Sequence, residues 1–121
     1  MKLKEVKLKR ALLSVYDKKD IVRLATVLIS YGVEIISTGG TYNVLQSSGL
    51  SVKKIDDLTG FPEILDGRVK TLHPKIYGGL LSLREKKDHM KTIKEHNIPQ
   101  IDLVVSNLYP FYDVVKLDYS K

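Results

Sequence analysis

Between residues 10 and 55 short apolar runs alternate with stretches of helical period, and this order constrains the fold more than any other feature of the chain. RALLSV (10–15) is an apolar run bounded by polar residues and reads as a buried strand. In the next stretch, YDKKDIVRLATVLISYG, Asp17 is placed as an N-cap with Asp20 three residues on. Ile21, Leu24, Ala25, Leu28 and Ile29 then share one helical face, and Gly32 is placed to stop the helix. VEIIS (33–37) returns to strand character, TGG breaks the chain, and TYNVLQSSG forms a short helix ending at Gly49. SVKKI (51–55) is a third, more exposed strand. Strand, helix, strand, helix, strand predicts a parallel sheet with right-handed crossovers.

Beyond that the pattern loosens. Residues 56–84 read as irregular, with Pro62 and Pro74 each opening a short helical turn. EKKDHMKTIKEHN (85–97) is a polar helix with Met90 and Ile93 facing inward, and IDLVVSNLYP (101–110) is the clearest buried strand. With no repeat or linker, 121 residues of which 43% are hydrophobic make one α/β domain with a core of its own.

Composition removes several classes of chemistry. The chain has no cysteine, which excludes disulfides, thiolate nucleophiles and cysteine-based zinc sites. His73, His89 and His96 show no metal-ligand spacing with carboxylates. No apolar run is long enough to span a membrane, and the basic N-terminus lacks the features of a signal peptide, so a cytoplasmic protein is expected. The net charge of +6 suits an anionic partner. Part of it is local, since Lys2, Lys4, Lys7, Lys9 and Arg10 crowd the start and read as a solvated arm. No aromatic-interleaved basic run points to nucleic acid.

In open parallel sheets, ligands bind at the carboxyl ends of strands, near helix N-termini. Three stretches stand at such places. In SVYDK, Ser14 and Lys18 straddle the turn after the first strand; a plain helix cap with surface lysines is the competing explanation. In STGGT (37–41), Gly39 and Gly40 allow close backbone approach while Thr38 and Thr41 add hydroxyls. This stretch fits a phosphate cradle, although it matches neither dinucleotide nor P-loop fingerprints, and an ordinary tight turn would look similar. The third is GRVKTLHPKIYGG (67–79), where Arg68 and Lys70 point the same way if the segment is extended, followed by Thr71 and His73. A solvated basic loop is the usual source of such charges, but long irregular loops in compact domains tend to be functional. One anionic ligand, most simply a nucleoside monophosphate, would account for all three.

The residues also carry a resemblance. LTGFPEILDGRVKTLHPKIYGGLL followed by NLYPF resembles the N-terminal IMP cyclohydrolase domain of the PurH family of bifunctional purine biosynthesis enzymes (AICAR transformylase/IMP cyclohydrolase). ALLSVYDK and STGGT fit the same family, so the resemblance covers about residues 10–115. STGGT alone is shared across the methylglyoxal synthase-like superfamily, whereas the long loop motif is specific. The resemblance implies a three-layer α/β/α domain with a central parallel sheet, and a cytoplasmic enzyme that closes FAICAR to IMP without metal or organic cofactor. It implies Lys70 as a cation beside the reacting carboxamide, with Arg68 and Thr71 fixing the nucleotide. Tyr109 and Asn107 would line the base pocket, Tyr109 as a catalytic group. Ser14, Lys18, Thr38, Gly39, Gly40 and Thr41 would hold the 5′-phosphate. His73 is read as a structural hydrogen-bonder, because Pro74 starts a helix. The family also implies a homodimer for the full-length protein, and neither nucleic acid nor membrane as a partner.

Three departures qualify that assignment. Tyr16 stands where the family has Ser, and Tyr77 where it often has His. The family's IDIGG and RAAAKN segments, which supply an Asp and a Lys for catalysis, do not occur in these 121 residues, nor does a transformylase domain. The domain is therefore expected to be truncated at its C-terminal end, as a fragment or a short form. Two other readings compete with the enzyme. One is a nucleotide-binding or regulatory domain without turnover. The other is methylglyoxal synthase, which lacks the GRVKTLHP loop and whose acidic catalytic motif has no clear match here.

Overall fold

Alternation along the first strand, β1 (Arg10–Ser14), divides the core in two. Successive strand side chains point to opposite faces. Ala11 and Leu13 accordingly join one buried cluster and Leu12 joins another. The second strand, β2 (Glu34–Ser37), repeats the division, with Ile35 on the first face and Ile36 on the second. The computed structural model describes residues 7–62, 64–65 and 73–107.

On the first face lie two helices, α1 (Ile21–Ser30) and α2 (Gly39–Ser47). They contribute Ile21, Ala25, Leu28 and Leu45. On the second face lie α3 (Ile55–Thr59) and α4 (Pro74–Leu81), which contribute Ile55 and Ile76 beside Ile101. A fully buried Leu or Ile stabilises a fold by roughly 1.5–3 kcal/mol, so both faces are needed to hold the sheet. The remaining elements are β3 (Lys53–Lys54), α5 (Lys87–Glu95) and β4 (Leu103–Ser106). The strands run in the order β3-β2-β1-β4, and every pair is parallel. The result is the three-layer α/β/α arrangement around a central parallel sheet.

The apolar face of α1 and its glycine stop are as the sequence indicates. Gly32 has φ +80° and donates to the Ile29 carbonyl at 2.9 Å, while Val33 N–H donates to Leu28 at 3.1 Å. This is a Schellman closure. The start differs. Asp20, not Asp17, precedes the first helical residue, and the Asp17 carboxylate accepts from Lys19 N–H at 2.9 Å. Asp17 belongs to the turn after β1, so it cannot also cap a helix that begins four residues later. The second helix starts at Gly39, with both glycines inside its first turn rather than ahead of it.

Three further corrections concern weakly patterned segments. The third strand has only two residues, because Ile55 turns into α3 to reach the second face. Within 56–84, where the sequence reads as irregular, the described residues include the end of α3 and α4. Pro74 is the first residue of α4, and His73 Nδ1 accepts from Lys75 N–H at 3.1 Å as its cap; the segment after Pro62 lies partly outside the described residues, and Ile64 and Leu65, which are described, are not helical. The strand that reads most clearly as buried, β4, is an edge among the described strands. Leu103 and Val105 pack inward while Val104 is 46% exposed.

The start of β1 is fastened to the approach to β4 through one carboxylate. Asp102, with its side chain 3% exposed, accepts from Lys9 N–H at 2.8 Å and Arg10 N–H at 3.0 Å, and pairs with Arg84. The Arg10 guanidinium donates to the Gln100 carbonyl at 2.8 Å and approaches Glu34 at 3.4 Å. Arg10 is thus part of the fold and not of a solvated arm; Lys2 and Lys4 lie outside the described residues.

Candidate anion site at the carboxyl end of the sheet

A parallel sheet brings its carboxyl ends together, and the register here aligns them closely. Leu13 pairs with Ser37, and Ser14 with Ser106. The turns that follow β1 and β2 therefore meet, with the end of β4 beside them. A cavity of about 250 Å³ opens there, lined by Ser14, Val15, Tyr16, Lys18, Thr38, Gly40, Thr41 and Asn107.

Its floor is a small hydroxyl network. Ser14 Oγ and Thr38 Oγ1 lie 2.6 Å apart. Thr41 Oγ1 accepts from Val15 N–H at 3.0 Å and faces the Val15 carbonyl at 3.2 Å. Thr38 and Thr41 are each only 2% exposed, so these bonds satisfy groups that water cannot reach. Thr38 is the N-cap residue of α2, but its side chain makes no capping bond, because its hydroxyl is turned to Ser14. The first N–H groups of a helix have no intrahelical acceptor, and that end carries partial positive charge. The α2 N-terminus therefore faces the cavity as an anion acceptor.

The two glycines act differently. Gly39 has φ +38°, a backbone conformation that a side chain disfavours. Gly40 faces Lys18, and a Cβ there would stand 3.1 Å from Lys18 Cε. The Lys18 ammonium donates to the Val15 carbonyl at 2.7 Å and the Tyr16 carbonyl at 3.1 Å, which holds a full positive charge at the rim. Hydroxyls, a helix N-terminus and a lysine, with no carboxylate among the described residues that line the cavity, suit a phosphate. A larger open groove, about 490 Å³, lies beside β2 and β3. It mixes Glu34 and Asp57 with Lys53 and has no such selectivity for an anion.

Of the residues expected at a phosphate, Ser14, Lys18, Thr38, Gly40 and Thr41 converge on this cavity, and Gly39 opens the helix beside it. Asn107, expected at a base, lines the same cavity. Arg68, Lys70, Thr71 and Tyr109 lie outside the described residues. The sequence reading did not foresee the part of Val15, which acts through its main chain and leaves no side-chain signal. Tyr16 lines the cavity at the position where it departs from the family's Ser. Among the described residues there is no group of His, Asp or Glu arranged for a metal, and no helix is long and apolar enough to cross a membrane.

Known proteins resemble this chain in sequence and in fold. A family model described as the MGS-like domain matches residues 20–121. The bifunctional purine biosynthesis protein PurH of Clostridium acetobutylicum is 58% identical over 113 residues, covering 93% of this chain and 23% of that protein. PurH of Fusobacterium nucleatum is 56% identical over 112 residues, covering 93% and 22%. The chain thus spans less than a quarter of the length of the curated relatives it matches, corresponding to their N-terminal part. Among solved structures, ForH superposes with a TM-score of 0.76 at 42% identity, over 85% of this chain and 54% of ForH.

Proposed function

The chain belongs to the MGS-like domain family, and from that membership we propose that it is the IMP cyclohydrolase domain of a PurH-type enzyme, closing FAICAR to IMP. The observation that carries this reading is the cavity lined by Ser14, Lys18, Thr38, Gly40 and Thr41 at the carboxyl end of the sheet, in a chain 58% identical to a PurH protein.

In the reaction the carboxamide nitrogen attacks the formyl carbon of the same molecule, forming the C–N bond of the new ring. Negative charge builds on the formyl oxygen, which leaves as water after taking up protons. Both reacting groups sit on one imidazole, so holding the nucleotide in a single pose does much of the catalytic work. In our reading Ser14, Lys18, Thr38, Gly39, Gly40 and Thr41 provide that hold through the 5′-phosphate. Lys70 and Tyr109 take the charge and proton roles that such a step requires. Arg68 and Thr71 secure the rest of the nucleotide. These four are assigned by resemblance alone. The full-length protein is proposed to act as a homodimer.

The test is IMP formation from FAICAR by the 121-residue chain, followed against the uncatalysed background. Turnover supports the assignment and shows that these residues contain a sufficient catalytic set. A folded chain that binds IMP without consuming FAICAR would instead be a nucleotide-binding domain. Formation of methylglyoxal from dihydroxyacetone phosphate would reassign the activity altogether.

A further inference from the structure

Asn107 directly follows β4, and its side chain reaches the turn after β1. Its Oδ1 accepts from Tyr16 N–H at 2.6 Å and Asp17 N–H at 3.0 Å, and its Nδ2 donates to the Asp17 carbonyl at 3.1 Å. The three contacts agree on which atom is oxygen, because the flipped amide would set its NH₂ group against two N–H donors. A carboxamide offers two hydrogens and two acceptor positions. Three of the four are therefore committed to main chain 90 and 91 residues away. A single hydrogen remains for anything else.

The turn that Asn107 holds is the one that shapes the cavity. β1 has ended at Ser14 and α1 does not begin until Ile21, so among the described residues no regular ladder serves the Tyr16 and Asp17 N–H groups. The same turn carries Val15, which bonds Thr41, and the two carbonyls that tether the Lys18 ammonium. A loosened turn would release the lysine and the wall of the cavity together.

We propose that Asn107 is a positioning residue for the phosphate end of the site: it locks the 15–18 turn so that Lys18 is in place before the anion arrives, and it does not read the base. The proposal rests on the anion reading of the cavity. It gives Asn107 a different role from the base-pocket contact that family resemblance implies.

Two ligands separate the roles. IMP and ribose 5-phosphate share the phosphate and sugar and differ in the base. Asn107→Ala should weaken both by the same factor, roughly tenfold for a set of bonds of this kind. A loss confined to IMP, with ribose 5-phosphate unaffected, would assign Asn107 to the base and overturn the proposal. Lys18→Ala should absorb much of the effect, so that adding Asn107→Ala costs far less than in the unaltered chain; fully independent losses would also overturn it.

Amide hydrogen exchange gives a readout that needs no ligand. In Asn107→Ala the Tyr16 and Asp17 amides should exchange faster, while those of Leu13 and Ile36 keep their protection. Unchanged exchange at Tyr16 and Asp17 would remove the clamp. If the unaltered chain bound neither ligand, the anion reading of the cavity would fall, and exchange would still decide whether Asn107 holds the turn.

Discussion

Thr41, in the first turn of α2, bonds the main chain of Val15, just after β1, with its single hydroxyl: 3.0 Å to the Val15 nitrogen and 3.2 Å to the Val15 oxygen. The two residues are 26 apart in sequence and both are buried. Thr41→Val preserves the shape but leaves the buried Val15 N–H without its partner, while the Val15 carbonyl keeps only its bond from Lys18. The expected cost is about 1–3 kcal/mol. Urea unfolding measures it directly, and an unchanged midpoint would show that Val15 finds another partner. Weaker IMP binding should accompany the loss, because Val15 forms part of the cavity wall.

Asp102 makes stability depend on acid. Burial works to raise its pKa, but bonds from Lys9 N–H, Arg84 and Arg10 N–H outweigh burial and hold the carboxyl below its ordinary value. Folded Asp102 thus binds its proton less readily than the unfolded chain does. The stability it contributes is complete above the unfolded value, about 3.9, and is lost as pH falls through the lower folded value. Asp102→Asn should lower the melting temperature near neutral pH, and the gap to the unaltered chain should narrow as pH drops below about 4. A gap of constant size would show that the carboxylate's charge is irrelevant to the fold.

Legibility follows from how local each signal is. The α1 face, its Gly32 stop and the Pro74 start all depend on neighbouring residues, and all are visible in the sequence. The hydrogen-bonding role expected of His73 is present as well, as the cap on Lys75 N–H. α3 was hidden because IDDLT is too short and polar to show a period; burial of Ile55 on the second face decides it. The edge position of β4 was hidden because an apolar run does not reveal whether both its faces are covered. Within the site, the convergence of Ser14, Lys18, Thr38, Gly40 and Thr41 on one cavity was readable, because each lies between the end of a strand and the first turn of the next helix. The clamp made by Asn107 was not, since its partners are 90 residues away and are main-chain atoms of any identity.

The adjacent glycines of α4 should differ in their tolerance of a methyl group. A Cβ at Gly79 would stand 2.4 Å from the Pro99 carbonyl oxygen, and Ile101 N–H donates to the Gly79 carbonyl at 3.1 Å. Backbone faces backbone there, so neither side can yield without moving the helix. At Gly78 the nearest atom is Ile98 Cδ1 at 2.9 Å, the end of a side chain that can rotate. Gly79→Ala should therefore destabilise by about 1–3 kcal/mol or more, and Gly78→Ala by clearly less. Equal midpoints for the two variants in chemical unfolding would contradict this close approach of α4 to residues 98–101.

Substitution of Lys70 tests whether catalysis and binding rest on different residues. In the proposed reaction its cation acts where charge develops on the reacting carboxamide and formyl groups, while the phosphate is held at the other end of the nucleotide by Lys18 and the α2 N-terminus. Removing a group that acts chiefly in the transition state lowers kcat more than it raises KM. Lys70→Ala, made in the form of the protein that turns over FAICAR, should therefore lose at least about 100-fold in kcat. IMP affinity and melting temperature should change little. Lys18→Ala should do the reverse, raising KM with a smaller effect on kcat. If Lys70→Ala kept full activity, the residue would have no part in ring closure. If it lost IMP binding as severely as turnover, it would belong with the groups that hold the nucleotide.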